Sequence, residues 1–191
     1  MVTVSIVGTG HMGSALAGLV TRAGHALEQV GSHDLDTPIT GDLVVLAVPY
    51  PAVDDVLTQR GDQLSGRIVV DITNPVNFAT FDSLTVAADS SATAEIAARL
   101  PNSRVLKAFN TTFAATLTAG TVGPVTTTVL IAGDDTDAKT TLAEVITAAG
   151  LNAIDAGPLA RARELEAIGF VQISLAAAEK ISWTGGFGLV P

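Results

Sequence analysis

The feature that most constrains the fold is a glycine-rich turn near the start of the chain. It follows the apolar run at residues 2–7, which is typical of a buried β-strand, and it leads into a helical pattern over residues 11–23. The turn consists of Gly8, Thr9, Gly10, His11, Met12 and Gly13. In such a turn the first glycine permits a tight bend, the second lets a pyrophosphate approach, and the third allows close helix–strand packing. Strand, turn and helix together predict a dinucleotide-binding fold.

We expect the backbone N–H groups at the start of this helix to bind the phosphates of the dinucleotide, because they have no partner within the helix. A glycine-rich turn without a ligand is the alternative.

Strand-like and helix-like segments alternate along the whole chain. Strands are predicted at residues 2–7, 26–30, 43–48, 67–71, 105–108, 127–131 and 152–155, and helices at 11–23, 51–60, 92–100, 136–149 and 160–182. This alternation predicts an α/β fold with a doubly wound parallel sheet, a Rossmann-type NAD(P)-binding domain that covers residues 1–191 and has a C-terminal helix. Residues 75–91 form the longest predicted loop. Only eleven residues separate Gly31 from Leu43, so the usual crossover helix after the second strand is nearly absent.

The amino-acid composition excludes several classes of function. The chain has no cysteine, so disulfides, thiolate nucleophiles and cysteine-based metal sites are ruled out. Its histidines, His11, His25 and His33, are not spaced as metal ligands. A formal net charge of −9 argues against nucleic acid or an anionic membrane as a partner. No apolar stretch approaches the ~20 residues that span a bilayer, and no basic leader precedes the first strand, so we expect a cytoplasmic protein.

The predicted last helix differs from an ordinary surface helix. Residues 167–178 are apolar on almost every side, interrupted by Gln172 and Ser174. A helix of this kind must be covered on more than one side. We therefore expect a homodimer in which this helix contacts a second subunit, and burial within the monomer is the alternative.

The residues after the second strand bear on the choice of cofactor. An acidic residue at this point would bind the ribose 2′-hydroxyl of NAD, whereas this chain has Ser32 and His33. Both side chains can donate hydrogen bonds to a 2′-phosphate. The pattern favours NADP(H), and NAD(H) remains possible because Asp34 follows. A polar turn without a ligand is the alternative.

Three further segments follow predicted strands at the carboxyl edge, where open α/β sheets bind their ligands. Each segment could be a simple strand-capping turn, but their shared position predicts a pocket around the nicotinamide ring. The residues that we expect to contact the cofactor there are Val48, Pro49, Tyr50, Asn74, Pro75, Ala108, Asn110 and Thr111.

Six motifs extend this pattern over nearly the whole chain, at residues 8–13, 31–33, 47–50, 71–75, 107–111 and 155–163. Together they resemble the NADP oxidoreductases that depend on the deazaflavin coenzyme F420, and the related cytosolic domain of the six-transmembrane ferric reductases. The resemblance implies that the glycine turn holds the pyrophosphate and that residues 31–33 hold the 2′-phosphate, with His33 where the family has an arginine. It also implies a deazaflavin near the segments that contain Asn74 and Asn110. Residues 183–188 depart from the family pattern.

Two functions fit these observations. The first is an NADP(H)-dependent oxidoreductase that passes hydride between the nicotinamide and a flavin or deazaflavin acceptor, because ring-to-ring transfer needs positioning more than acid–base groups. A hydroxy acid or imine substrate would need a proton donor, and Lys107 is the only lysine at a strand end near the predicted pocket. The second is a nicotinamide-binding sensor or regulatory module without turnover, which the short second crossover and the lack of a substrate domain suggest.

Overall fold

The computed structural model of the protein describes residues 1–31, 34 and 36–190. The strands are β1 (Thr3–Val7), β2 (Ala26–Val30), β3 (Leu43–Leu46), β4 (Ile68–Asp71), β5 (Arg104–Lys107), β6 (Thr121–Val122), β7 (Val125–Thr126), β8 (Thr128–Gly133) and β9 (Asn152–Gly157). The helices are α1 (His11–Arg22), α2 (Val53–Leu64), α3 (Ala92–Arg99), α4 (Ala114–Ala119), α5 (Thr136–Ala148) and α6 (Ala162–Ala177). This alternation confirms the predicted α/β fold with a C-terminal helix.

In the described ranges, seven strands form one sheet in the order β2-β1-β3-β4-β5-β8-β9. Neighbouring strands run parallel except at one place, because β8 pairs antiparallel with β5. The sheet is therefore mostly parallel rather than wholly so. The chain turns from β1 to β2 on one side and then to β3 on the other, so β1 and β3 define the switch point where such sheets bind ligands.

Both faces of the sheet are covered by helices, which explains the apolar composition of the strands. In β3, Leu43 and Val45 pack on one face, whereas Val44 and Leu46 pack on the other. The first face packs against α1 and α5, and the second against α2 and α3. A sheet buried on both faces gives nearly continuous apolar strands, as the central strands β3 and β4 have here.

Side-chain hydrogen bonds hold the shortened crossover between β2 and β3 in place of a helix. The Ser5 hydroxyl donates to the Glu28 carboxylate at 2.6 Å and accepts from the Gly41 N–H at 2.8 Å. The guanidinium of Arg67 donates to the Thr40 carbonyl at 2.7 Å. These bonds fix Thr40 and Gly41, which lead into β3, close to β1.

Two helices differ from the prediction. The last helix is α6, Ala162–Ala177, instead of 160–182, because the chain leaves the helix before Glu179, whose φ of 56° is left-handed. The second is the short helix α4, which ends at Gly120 with φ 76° and is followed by the β6–β7 hairpin. At six residues, α4 is too short to give a clear helical pattern in the sequence.

Candidate functional site

The glycine turn has the tight bend predicted for its first glycine and the close packing predicted for its third. A Cβ on Gly8, whose φ is +125°, would lie 2.2 Å from the Ala47 carbonyl oxygen. A Cβ on Gly13 would lie 2.3 Å from the Gly8 carbonyl oxygen. Neither position has space for a side chain, so β1, α1 and β3 approach one another at the switch point.

Gly10 differs from the other two glycines. A Cβ built on it would have no described atom within 4 Å, so the space beside its backbone is open. Gly10 is also the N-cap of α1, where no side chain of the described residues accepts a hydrogen bond and no acidic residue lies in the first turn. Open space beside a helix N-terminus with free N–H groups fits a pyrophosphate.

The predicted 2′-phosphate site cannot be located at this turn, because Ser32 and His33 lie outside the described residues. Val30, which ends β2, pairs with Val7, which ends β1 and leads into the glycine turn. Gln29 in β2 donates through Nε2 to the Gly8 carbonyl at 3.0 Å and so ties the two strand ends together.

A cavity of about 1060 Å³ lies beside the glycine turn at the carboxyl edge, and we call it the edge cavity. The predicted residues that line it are His11, Met12, Asn74 and Asn110. The structure thus brings the glycine turn together with the ends of β4 and β5. Other residues that line the edge cavity include Ser14, Ala15, Ile72, Phe78, Phe109, Thr112, Phe113, Ala114, Ala115, Thr118, Ala119, Ile173 and Trp183.

Besides Phe109, which follows β5, three aromatic side chains line the edge cavity, and none of the four was predicted as a cofactor contact. Phe78 comes from the loop between β4 and α3 and packs edge-on against Phe81, with ring centroids 5.6 Å apart. Phe113 precedes α4, and its ring centroid lies 5.0 Å from that of Trp183, which follows α6. Phe78 and Trp183 are 53% and 50% exposed. Phe78, Phe113 and Trp183 are far apart in the sequence and lie outside the predicted strand ends. No local sequence pattern therefore indicated that they share one cavity, and only the rarity of aromatic residues in this chain could have drawn attention to them.

Two asparagine side chains hold the ends of β4 and β5 together in the edge cavity. Asn74 donates through Nδ2 to the main-chain carbonyl of Asn110 at 2.8 Å, and Asn110 donates through Nδ2 to Oδ1 of Asn74 at 3.0 Å. Asn110 Nδ2 also donates to the Leu165 carbonyl of α6 at 2.8 Å. Helix α6 approaches this pair closely, since a Cβ on Gly169 would lie 2.3 Å from Asn74 Oδ1.

The residue before Asn110 has a strained backbone. Phe109 is buried and has a φ of 62°, a left-handed conformation that a residue with a bulky side chain rarely adopts. The Asn110 N–H bonds back to the Ala108 carbonyl at 2.8 Å, which closes a three-residue turn. Such a conformation costs about 1–3 kcal/mol and persists only where the surroundings impose it. Here it turns Asn110 away from the strand direction.

A buried charge cluster lies directly behind these strand ends. Lys107 donates from Nζ to Asp71 at 2.8 Å, to Glu166 at 2.8 Å and to the Thr73 carbonyl at 2.6 Å. Glu166 also accepts from the Ala92 N–H at the start of α3, at 3.0 Å. Because all three ammonium hydrogens have protein acceptors and the side chains are fully buried, this cluster joins β4, β5, α3 and α6 and fixes the turn that carries Asn74.

The remaining predicted residues do not line the edge cavity. Tyr50 lies in a separate groove, where its hydroxyl donates to Glu95 and burial raises its pKa well above the ordinary value. Thr111 lines another groove with residues of α6. Val48 and Ala108 are buried in the core, Pro75 is buried beside Asn74, and Pro49 and Thr9 are exposed.

The described residues lack two further kinds of site. No helix among them is long and apolar enough to cross a membrane. Within the same ranges, no group of three or more histidine, aspartate or glutamate side chains is arranged to hold a metal ion.

A doubly wound sheet with a glycine turn at its switch point and a cavity at its carboxyl edge defines a dinucleotide-binding protein of the Rossmann type. Comparison with known proteins narrows this class. A family model described as "NADP oxidoreductase coenzyme F420-dependent" matches residues 26–75. The F420-dependent NADP reductase of Methanocaldococcus jannaschii is 30% identical over 171 residues, which cover 87% of this chain and 76% of that protein. The chain therefore belongs to the family of coenzyme F420-dependent NADP oxidoreductases, as its motifs predicted.

Two other similarities are limited, one in the length that it covers and the other in sequence identity. Metalloreductase STEAP3 of Rattus norvegicus is 38% identical over 112 residues, which cover 59% of this chain but only 22% of that protein. The crystal structure of a candidate F420-dependent NADP-reductase from Arthrobacter sp. FB24 covers the whole of both chains with a TM-score of 0.86 at 24% identity. At that identity the likeness is one of fold.

Proposed function

We propose that the protein transfers hydride between NADP(H) and a flat redox-active ring of the flavin or deazaflavin type. The observation that carries the proposal is the edge cavity, which adjoins the glycine turn and has aromatic walls. Its volume of about 1060 Å³ is at the upper limit for one drug-sized ligand, about 300–1,000 Å³, so a second ring has space beside a nicotinamide.

The glycine turn is the part of the chain that we propose to bind the pyrophosphate, through the N–H groups of His11, Met12 and Gly13 and the open space at Gly10. Ser32 and His33 are proposed to contact the 2′-phosphate and so to favour NADP(H) over NAD(H). NADP(H) itself supplies or accepts the hydride, and the protein has to orient the nicotinamide and exclude water.

The aromatic side chains support a flat acceptor. Phe78 and Trp183 are half-exposed, and together with Phe113 they present ring surfaces that an extended π-system can cover. Apart from His11, the side chains that line the edge cavity in the described ranges are apolar, hydroxyl or amide groups. Such a lining suits ring stacking and direct hydride transfer better than acid–base chemistry.

The buried state of Lys107 supports this choice over a hydroxy acid or imine substrate. A proton donor has to reach the reacting group within hydrogen-bond distance. The Lys107 ammonium is fully buried and donates to Asp71, Glu166 and Thr73, so it faces the protein instead of the edge cavity.

Anaerobic stopped-flow mixing tests the proposal. NADPH is mixed with the protein and with coenzyme F420, FMN, FAD or riboflavin, and oxidation is followed by loss of nicotinamide absorbance. We expect oxidation above the protein-free rate with at least one acceptor, and quenching or enhancement of Trp183 emission on binding, since this tryptophan lines the edge cavity. Absence of oxidation with every acceptor would contradict hydride transfer. Binding without oxidation would favour the sensor or regulatory module instead.

A further inference from the structure

One residue that lines the edge cavity has a buried polar atom without a hydrogen-bond partner in the described part of the chain. The Oδ1 atom of Asn110 is buried, and it accepts no hydrogen bond from any residue that the structure describes. The Asn110 residue is only 4% exposed and lines the edge cavity. A buried acceptor without a donor is costly, and native proteins keep such an atom mainly where a ligand or an ordered water completes it.

The orientation of this amide is determined by its neighbours. The Leu165 carbonyl can only accept hydrogen bonds, and it lies 2.8 Å from Nδ2 of Asn110. Oδ1 of Asn74 lies 3.0 Å from the same nitrogen, and its own orientation is fixed because Asn74 Nδ2 donates to the Asn110 carbonyl. Rotating the Asn110 amide by 180° would place its oxygen against these two acceptors. The free group of Asn110 is therefore an acceptor.

The surroundings hold this acceptor rigidly. The left-handed backbone of Phe109 turns Asn110 into its position, and the close approach of Gly169 prevents Asn74 from moving toward α6. Since both amide hydrogens of Asn110 are already used, only a hydrogen-bond donor, supplied by a ligand or by an ordered water, can satisfy the remaining oxygen without disrupting the pair.

We propose that Asn110 Oδ1 is a specificity-determining acceptor that recognises an amide or imide N–H of a bound ligand. Two ligands of the proposed function carry this group, the carboxamide of the nicotinamide and the imide of a flavin-like ring. The identity of these ligands rests on the proposed function. Asn74 is then a positioning residue, because it holds the Asn110 amide through the hydrogen bonds between the two side chains and the Asn110 carbonyl.

The first experiment changes the ligand and leaves the protein unaltered. Isothermal titration compares NADP⁺ with its thionicotinamide analogue, which keeps the NH₂ group, and with its 3-acetylpyridine analogue, which has none. If the carboxamide is the donor, the acetylpyridine analogue binds roughly tenfold more weakly because the buried oxygen stays unpaired, and the thionicotinamide analogue binds like NADP⁺.

The flavin-like hydride acceptor is tested separately. NADPH oxidation is measured with riboflavin and with 3-methylriboflavin, whose imide nitrogen carries no hydrogen. If the imide is the donor, methylation raises the acceptor KM by a similar factor.

The second experiment removes the acceptor. In Asn110→Leu, the difference in affinity or KM between the paired ligands is expected to disappear, and Asn110→Ala gives the same readout if the leucine variant does not fold. Thr73→Val is the matched control, because the Thr73 hydroxyl is also buried without a described partner but does not line the edge cavity. The Thr73→Val control should keep the wild-type difference between NADP⁺ and its acetylpyridine analogue, or between riboflavin and its methylated form.

Three outcomes separate the possibilities. Loss of affinity with the acetylpyridine analogue supports the carboxamide as donor, and an increased KM with the methylated flavin supports the imide. The proposal is overturned if the wild-type protein discriminates in neither arm, or if the discrimination persists in a folded Asn110 variant. NADP⁺ binding without any NADPH oxidation would contradict the proposed hydride transfer. The comparison of NADP⁺ analogues would still test the role of Asn110, because it measures binding and needs no turnover.

Discussion

At the scale of single residues, the glycines of the turn have different roles although they lie within six positions. Gly8 and Gly13 are in contact with main-chain carbonyl oxygens, so a side chain on either would strain the packing of α1 on β1 and β3. Gly10 has free space in the described structure, and the proposed ligand is the only group expected to need that space. The sequence showed the same residue type three times, and the structure distinguishes the two glycines that are tightly packed from the one beside open space.

This difference gives a testable pair of variants. Gly13→Ala is expected to lower the free energy of unfolding by about 1–3 kcal/mol, because the added methyl group overlaps the Gly8 carbonyl. Gly10→Ala should change it by less than about 0.5 kcal/mol. The same Gly10→Ala variant should weaken NADP⁺ binding by about tenfold, as expected for losing one charge-assisted hydrogen bond. Urea denaturation and titration calorimetry measure the two effects. Equal loss of stability in both variants would contradict the distinction.

His33 offers a second test at this scale. It stands where the family resemblance places an arginine, which can form a bidentate bond with a phosphate. His33→Arg is therefore expected to strengthen NADP⁺ binding by about 1 kcal/mol or more and to leave NAD⁺ binding unchanged. Calorimetric titration of both cofactors measures this difference. An unchanged preference would place His33 away from the 2′-phosphate.

At the scale of elements, the strand ends are held by a charge cluster that the sequence did not reveal. Lys107 belongs to β5, Asp71 to β4 and Glu166 to α6, and the lysine joins all three elements below the edge cavity. In the sequence, Lys107 is distinguished only by its place at a strand end. Its carboxylate partners come from 36 and 59 residues away, which no local pattern can show.

Replacing the lysine tests the role of the cluster. Lys107→Met would leave two buried carboxylates without a cation, so we expect a loss of about 3–5 kcal/mol in the free energy of unfolding. Lys139→Met is the matched control, because its partner Asp155 is 56% exposed and the pair is expected to contribute about 0–1 kcal/mol. Chemical denaturation of both variants gives the comparison. A loss in Lys107→Met no larger than in the control would mean that the buried pairs contribute little.

At the scale of the whole molecule, α6 covers the sheet with one face and leaves the other exposed. Its buried residues are Ala162, Leu165, Glu166, Gly169, Gln172, Ile173 and Ala176. Ile168 and Val171 on the opposite side are 38% and 47% exposed. Burial within the monomer thus accounts for part of the apolar character of this helix, and the predicted homodimer contact would have to use the exposed part.

The homodimer stays a prediction that light scattering coupled to size-exclusion chromatography can test. We expect twice the mass of one chain at micromolar concentration, and a shift to single-chain mass in Val171→Lys, which places a charge on the exposed face of α6. Ala177→Lys serves as the control at an exposed position at the end of the same helix. Single-chain mass for the wild-type protein would remove the prediction.

The sequence by itself determined the alternation of elements, the position of the glycine turn and the edge of the sheet where the edge cavity lies. These features depend on local periodicity and on backbone conformations that only glycine adopts readily. Only the tertiary structure decided which strand-end side chains face the edge cavity. Asn74 and Asn110 line it because α6 holds them there, whereas Tyr50 turns to Glu95 in a separate groove. The direction of a side chain beyond a strand end depends on partners far away in the chain, and these partners meet only in the folded molecule.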